Sequence, residues 1–167
     1  MAAERLHEVV ADYASGQEQP PLGGYATLMG LFAAIATAFS VWVHRSGREL
    51  PERVSPGDLA LMTVATHKAS RLLAKDRVTS AVRAPFTRYQ AEGGPAEVEE
   101  QARGSGLRRA IGELLICPYC LGMWIATAFA IGLAVVPRPT RWVASVLAAH
   151  FGSDVLQATY RKLEDAA

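Results

Sequence analysis

Charged side chains are absent from two stretches of the chain, Leu22 to Val43 and Leu114 to Val136, and dense in two others, Arg45 to Asp58 and Lys75 to Arg109. Such alternation suits a chain that passes between two solvents. Gly24 to Val43 supplies an uncharged run of roughly 20 residues, which at 1.5 Å rise per residue spans the hydrocarbon core of a bilayer. Tyr25 and Trp42 bracket it as interfacial anchors do. Leu114 to Val136 is a second clear span, stopped by Pro137 and Pro139.

Two weaker helices complete the pattern. Asp58 to Lys75 is apolar from Leu59 to Ala65 and then carries His67, Lys68, Ser70 and Arg71, so it spans, re-enters or lies in the interface with its basic side chains snorkelling. Arg141 to Thr159 places His150, Asp154 and Gln157 at helical spacing, and such a polar stripe is expected to face the bundle and not lipid. The segment from Asp76 to Gly106, with Pro85, Gly93-Gly94-Pro95 and the acidic Glu97, Glu99 and Glu100, reads as a solvent loop with at most a helical turn. A short helix is expected over Ala3 to Ala14, ended by a Gly, Gln and Pro linker. The expected fold is all-α: a polytopic integral membrane bundle of about four helices, two strong spans and two weaker. Residues 1–23 form an N-terminal tail, 24–160 the membrane domain with a loop over 76–110, and 161–167 a C-terminal tail.

Charge sets the orientation. With four spans, ten Lys and Arg fall on the side of both termini and the long loop, and five on the other (Arg45, Arg48, Arg53, Arg138, Arg141), which places both termini in the cytoplasm. The acidic N-terminus (Glu4, Glu8, Asp12, Glu18) lacks the basic region of a cleavable signal, so the first apolar helix is expected to stay as an anchor. A net charge of +1 and no basic patch interleaved with aromatics exclude nucleic-acid binding. Fourteen Arg against three Lys suit a GC-rich bacterial genome. The expected partners are the lipid bilayer and another membrane protein or a second copy of the chain.

Cys117-Pro118-Tyr119-Cys120 is the sharpest chemical signal. Proline fits the first position of a helix, so Cys117 becomes the N-cap, where free N–H groups and the macrodipole stabilise a thiolate. Three readings stay open: a redox pair formed by Cys117 and Cys120; half of a zinc shell completed by His67, His150 or Asp154, or by a second chain; and two small residues fixing a tight helix entry. The βαβ surroundings of a glutaredoxin are missing, and so is the second cysteine pair usual in membrane thiol oxidoreductases. His150 and Asp154, one turn apart, suit proton transfer, metal ligation or an interhelical hydrogen bond. Lys68, Arg71 and Arg77, with His67 and Lys75, mark a cytoplasmic membrane boundary or contact lipid headgroups or another anion. Gly122-Met123-Trp124 reads as packing. There is no phosphate-binding glycine loop, nucleophile elbow or zinc-protease element.

Five segments together carry a family resemblance: Ala65-Thr66-His67-Lys68, Ser70-Arg71-Leu72, Lys75-Asp76-Arg77-Val78-Thr79-Ser80, Arg83-Ala84-Pro85-Phe86-Thr87 and Cys117-Pro118-Tyr119-Cys120-Leu121-Gly122-Met123-Trp124. From about Asp58 to Gln157 the chain resembles the bacterial domain-of-unknown-function family 1360, which includes a Bacillus sporulation-associated membrane protein. The resemblance implies a polytopic bacterial membrane protein without an assigned activity. It also pairs the Thr-His-Lys helix with the Cys-Pro-x-Cys helix, suggesting a joint site of His67, Lys68, Arg71, Cys117 and Cys120. The expected function is a non-enzymatic envelope or developmental component acting through protein contacts. The alternative is a thiol oxidoreductase or metal-binding protein.

Overall fold

The computed structural model of the chain describes Tyr13 and residues 19–166. The short helix expected over Ala3 to Ala14 lies, apart from Tyr13, outside the described residues. Within residues 19–166 there are six α-helices and one β-hairpin, in the order α1 (Leu22–Ser46), α2 (Pro56–Lys75), α3 (Ser80–Arg83), β1 (Thr87–Glu92), β2 (Val98–Ala102), α4 (Gly106–Ile116), α5 (Pro118–Val135) and α6 (Pro137–Glu164).

Local chemistry sets most of the boundaries. Gly47 takes the left-handed conformation (φ 63°) that ends α1 without a Cβ clash. Ser55 caps α2, its hydroxyl accepting the Asp58 N–H at 3.0 Å, and Pro56 opens the first turn. Val136 closes α5 and opens α6 at once, so Pro137, which the sequence assigns to stopping one helix, begins the next. The sixth helix therefore starts before Arg141 and runs past Thr159 to Glu164.

The long helices alternate in direction. The start of α1, the end of α2, the start of α5 and the end of α6 lie at the hairpin end: Tyr25 donates to Glu113 of α4, Lys75 reaches Glu99, and Gln157 and Arg161 share a cavity with the hairpin turn. At the opposite end Arg141 of α6 grips Asp58 of α2 through one guanidinium edge, its Nε and Nη2 donating to the two carboxylate oxygens at 2.7 and 2.9 Å.

Small residues let the helices close up. α2 packs against both α5 and α6 around Ala65, Phe129 and Ala144, with Leu61, Met62, Ile125 and Leu147 at the margin. A Cβ on Gly24 would meet the Ala110 Cβ at 2.6 Å, and one on Gly132 the Thr140 hydroxyl at 2.7 Å. α1 leans on α4 and touches α5 through Phe32, whose ring meets Trp124 edge-on at 5.2 Å. Much of the apolar surface faces outward: Met29, Leu31, Ile35 and Val41 of α1, and Met123 of α5, are exposed. Among the described residues only α1 and α5 are long and apolar enough to cross a membrane; none of the most apolar stretch of α1, and 11% of that of α5, is buried.

Two expectations need correction. The fold is mostly helical but not all-α, because the presumed loop over 76–110 holds a two-stranded antiparallel sheet, the short α3 and the start of α4. The strands pair from Thr87↔Ala102 to Glu92↔Val98 with an irregularity between Tyr89 and Ala91, joined by a turn with Ala96 at φ 62°. Their sequences, TRYQAE and VEEQA, hide the strands because the exposed face is charged and the inner face buries mainly Thr87 and Val98. The second clear span also begins later, at Pro118: Leu114 to Ile116 belong to α4, which breaks at Cys117 (φ −105°, ψ 102°).

Candidate functional site

The last turn of α2 leaves carbonyls without helical partners, and an arginine from outside the helix meets them. Arg83 is 1% exposed; its Nη1 donates to the Leu73 carbonyl at 2.7 Å and the Thr79 hydroxyl at 2.6 Å, Nη2 to the Asp76 carbonyl at 3.0 Å, and Nε to the Glu100 carboxylate at 2.6 Å. Thr79 donates in turn to the Leu72 and Asp76 carbonyls, and the Asp76 carboxylate accepts the Val78 N–H. The Lys75 to Ser80 and Arg83 to Thr87 segments thus tie the end of a helix to a hairpin.

The exposed pairs follow from geometry. Arg71 and Lys75 lie one helical turn apart, about 6 Å along α2. Glu97 and Glu99 lie two residues apart at the hairpin, about 6.8 Å along an extended strand. The two spacings nearly match, so Arg71 donates to Glu97 at 2.8 Å and Lys75 to Glu99 at 2.7 Å. Alternation turns Val98 and Glu100 the other way, into the fold, where Glu100 meets Arg83. Arg77 reaches Glu92 at 3.1 Å. The acidic partners were legible as a cluster, and the match of a helix spacing of four to a strand spacing of two was the available signal for their role.

Beneath the hairpin turn, α2 and α6 enclose a polar cavity of about 410 Å³. Lys68 and Arg71 line it from α2 and Asp76 from the residue that caps it, the stripe His150, Asp154 and Gln157 together with Arg161 from α6, and Gly94 to Glu97 roof it. The stripe faces α2, as its spacing predicts. Deepest is Lys68, 11% exposed, whose ammonium donates to the Asp154 carboxylate at 2.5 Å; Asp154 is 45% exposed. A buried lysine held by one carboxylate, beside a polar cavity, is the most specific electrostatic feature of the helical part.

Cys117 and Cys120 are joined as a disulfide. Cys117 is the N-cap of α5, its sulfur accepting the Cys120 N–H at 3.2 Å, and Pro118 takes the first position, as the sequence predicts. Cys120 and Tyr119 are exposed, Tyr119 to 93%.

The residues singled out in sequence therefore divide. Lys68, Arg71, His150 and Asp154 share the cavity, whereas His67 turns its ring edge-on to Phe151 at 5.3 Å and neither cysteine lines the cavity. Arg77 lies outside it, on Glu92. Among the described residues no three His, Cys, Asp or Glu side chains converge in a way that could hold a metal ion. Each of Lys68, Arg71 and Arg77 already has a carboxylate partner, with which an anion or headgroup would have to compete.

The family described as proteins of unknown function, DUF1360, matches the chain over residues 61–160. That range takes in the Arg83 knot, the cysteine pair and the cavity lining apart from Arg161. The chain is also similar to the sporulation protein YjcA of Bacillus subtilis (strain 168), at 32% identity over 93 residues, which cover 54% of this chain and 79% of that protein. No solved structure matches.

Proposed function

Starting from the fact that the chain belongs to the DUF1360 family of unknown function, we propose that it is a sporulation-related, multi-pass membrane protein of the bacterial cell envelope. In this reading α1 and α5 cross the bilayer on their own apolarity, α2 and α6 cross beside them with Lys68–Asp154 and Asp58–Arg141 paired between the two, and the hairpin and both termini face the cytoplasm. It acts through contacts with another membrane protein or a second copy of itself, without catalysing a reaction.

One observation carries the reading: α1 keeps its apolar side chains on the outside of the fold, where water would penalise them and lipid would not. Two others support it. The alternating helix directions put the charge-rich hairpin at one end and the Asp58–Arg141 pair at the other, and the hairpin end holds the larger share of Lys and Arg. The relative whose name refers to sporulation supports the process. Membranes washed with alkaline carbonate should retain the chain, and detergent should release it. A chain that partitions into the wash and stays monodisperse without detergent would end this reading.

The disulfide favours a second reading, thiol–disulfide exchange. A partner thiolate attacks one sulfur of the Cys117–Cys120 bond, forms a mixed disulfide and expels the other as thiolate; the partner's second thiol resolves it, leaving this chain a dithiol and the partner oxidised. The helix N-terminus stabilises the Cys117 thiolate in that step. Zinc held by the reduced pair, with the pair of a second chain, is the remaining form of this alternative. Thiol titration and metal analysis of the reduced chain separate the cases: a redox pair shows one thiol of depressed pKa, a zinc site co-purifies with metal, and packing cysteines do neither.

A further inference from the structure

A cavity of about 450 Å³ opens at the end of the bundle away from the hairpin, where the linker between α1 and α2 passes the start of α6. Its volume lies within the range of small-molecule sites. The walls are apolar: Phe39 of α1, Met62 of α2, Leu133 of α5, and Leu50 and Val54 of the linker. The rim is charged, with Arg53, Asp58 and Arg141. Asp58 accepts both bonds from Arg141, so those two charges cancel. Arg53 has no hydrogen-bond acceptor or carboxylate among the described residues, which leaves the rim one positive charge in excess.

Charge and grease are separated along the helix axes. Met62 lies one turn, about 6 Å, inward of Asp58 on α2, and Phe39 lies seven residues, about 10 Å, inward of the α1 terminus. A ligand whose anion rests at the rim therefore runs its apolar part toward the middle of the bundle. In a bilayer those are the positions of a headgroup and a chain in the leaflet opposite the hairpin.

We propose that this cavity holds one acyl chain of an anionic phospholipid, with the lipid phosphate against Arg53. The inference rests on the membrane reading, which brings the lipid to the cavity mouth. A lipid with net negative charge is favoured over a zwitterionic one, whose added cation would meet the uncompensated guanidinium.

The test uses the full chain in a neutral detergent, supplied with equimolar phosphatidylglycerol and phosphatidylcholine of matched chains, with co-purified lipid read by mass spectrometry. The wild-type chain should retain phosphatidylglycerol in about tenfold preference: both lipids offer Arg53 a phosphate, and only the choline cation is repelled by the guanidinium. Arg53→Ala should bring the ratio close to one, and Leu50→Trp, which fills the wall from the linker and leaves helix packing alone, should lower retention of both lipids. Equal retention by the wild-type chain, or an undiminished preference in Arg53→Ala, overturns the proposal. A chain that is monodisperse without detergent instead overturns the membrane reading beneath it.

Discussion

The hairpin end and the helical bundle hold together by opposite means. At the hairpin end, carboxylates and guanidinium groups interlock, and a buried arginine closes the end of α2. Along the bundle, small residues bring helices into contact, and apolar side chains are left facing out. Position within each region, and not residue type, separates structural from available groups. Arg83 and Arg71 belong to the same stretch of family-like sequence, yet one is buried with four partners and the other is half-exposed with one.

The contrast predicts unequal costs, and the largest falls on Arg83. Replacing it by Met strands the Glu100 carboxylate and the Leu73 carbonyl and leaves the Asp76 carbonyl to Thr79 alone, which should cost about 3–5 kcal/mol in thermal or denaturant unfolding. A loss below about 1 kcal/mol would mean the knot is dispensable. Gly112→Val should come next, at about 1–3 kcal/mol, because any Cβ there meets the Phe86 carbonyl at 2.5 Å. If it unfolds like wild type, the contact between α4 and the hairpin is looser than drawn.

Smaller effects sharpen the same division. With the disulfide absent in both variants, Cys117→Ser should be more stable than Cys117→Ala by about 1 kcal/mol, since the hydroxyl keeps the cap on α5; equal stabilities would remove the capping role. Arg71→Gln should change stability by less than about 1 kcal/mol, with the difference fading in salt, because its pair with Glu97 is half-exposed. A cost as large as that of Arg83→Met would erase the distinction between the two arginines.

Much of the helical part was legible before the structure. The uncharged run of α1 and the polar stripe of α6 are patterns of period and length that local sequence carries, and Pro118 after Cys117 announced the start of α5. The hairpin was hidden because its strands are specified by partners elsewhere in the chain. Nothing in Glu97 and the VEEQA that follows it signals a strand until Arg71 and Lys75 present cations at a matching interval, and Arg83 waits for Glu100. The grouping of Lys68 with Asp154 was half visible, each on its own polar stripe, but their pairing needed the packing of α2 on α6. The suggested joint site of His67 with the cysteines separates because His67 points to Phe151, one step around the helix from Lys68.

The account stands most directly on which solvent each end meets. In a chain carrying Cys117→Ala and Cys120→Ala, single cysteines introduced by Glu92→Cys on the hairpin and Arg53→Cys at the other end are to be labelled with a membrane-impermeant maleimide, in intact cells and in inverted vesicles. The account predicts labelling of Arg53→Cys in intact cells only and of Glu92→Cys in inverted vesicles only. Labelling of both positions from the same side would contradict it.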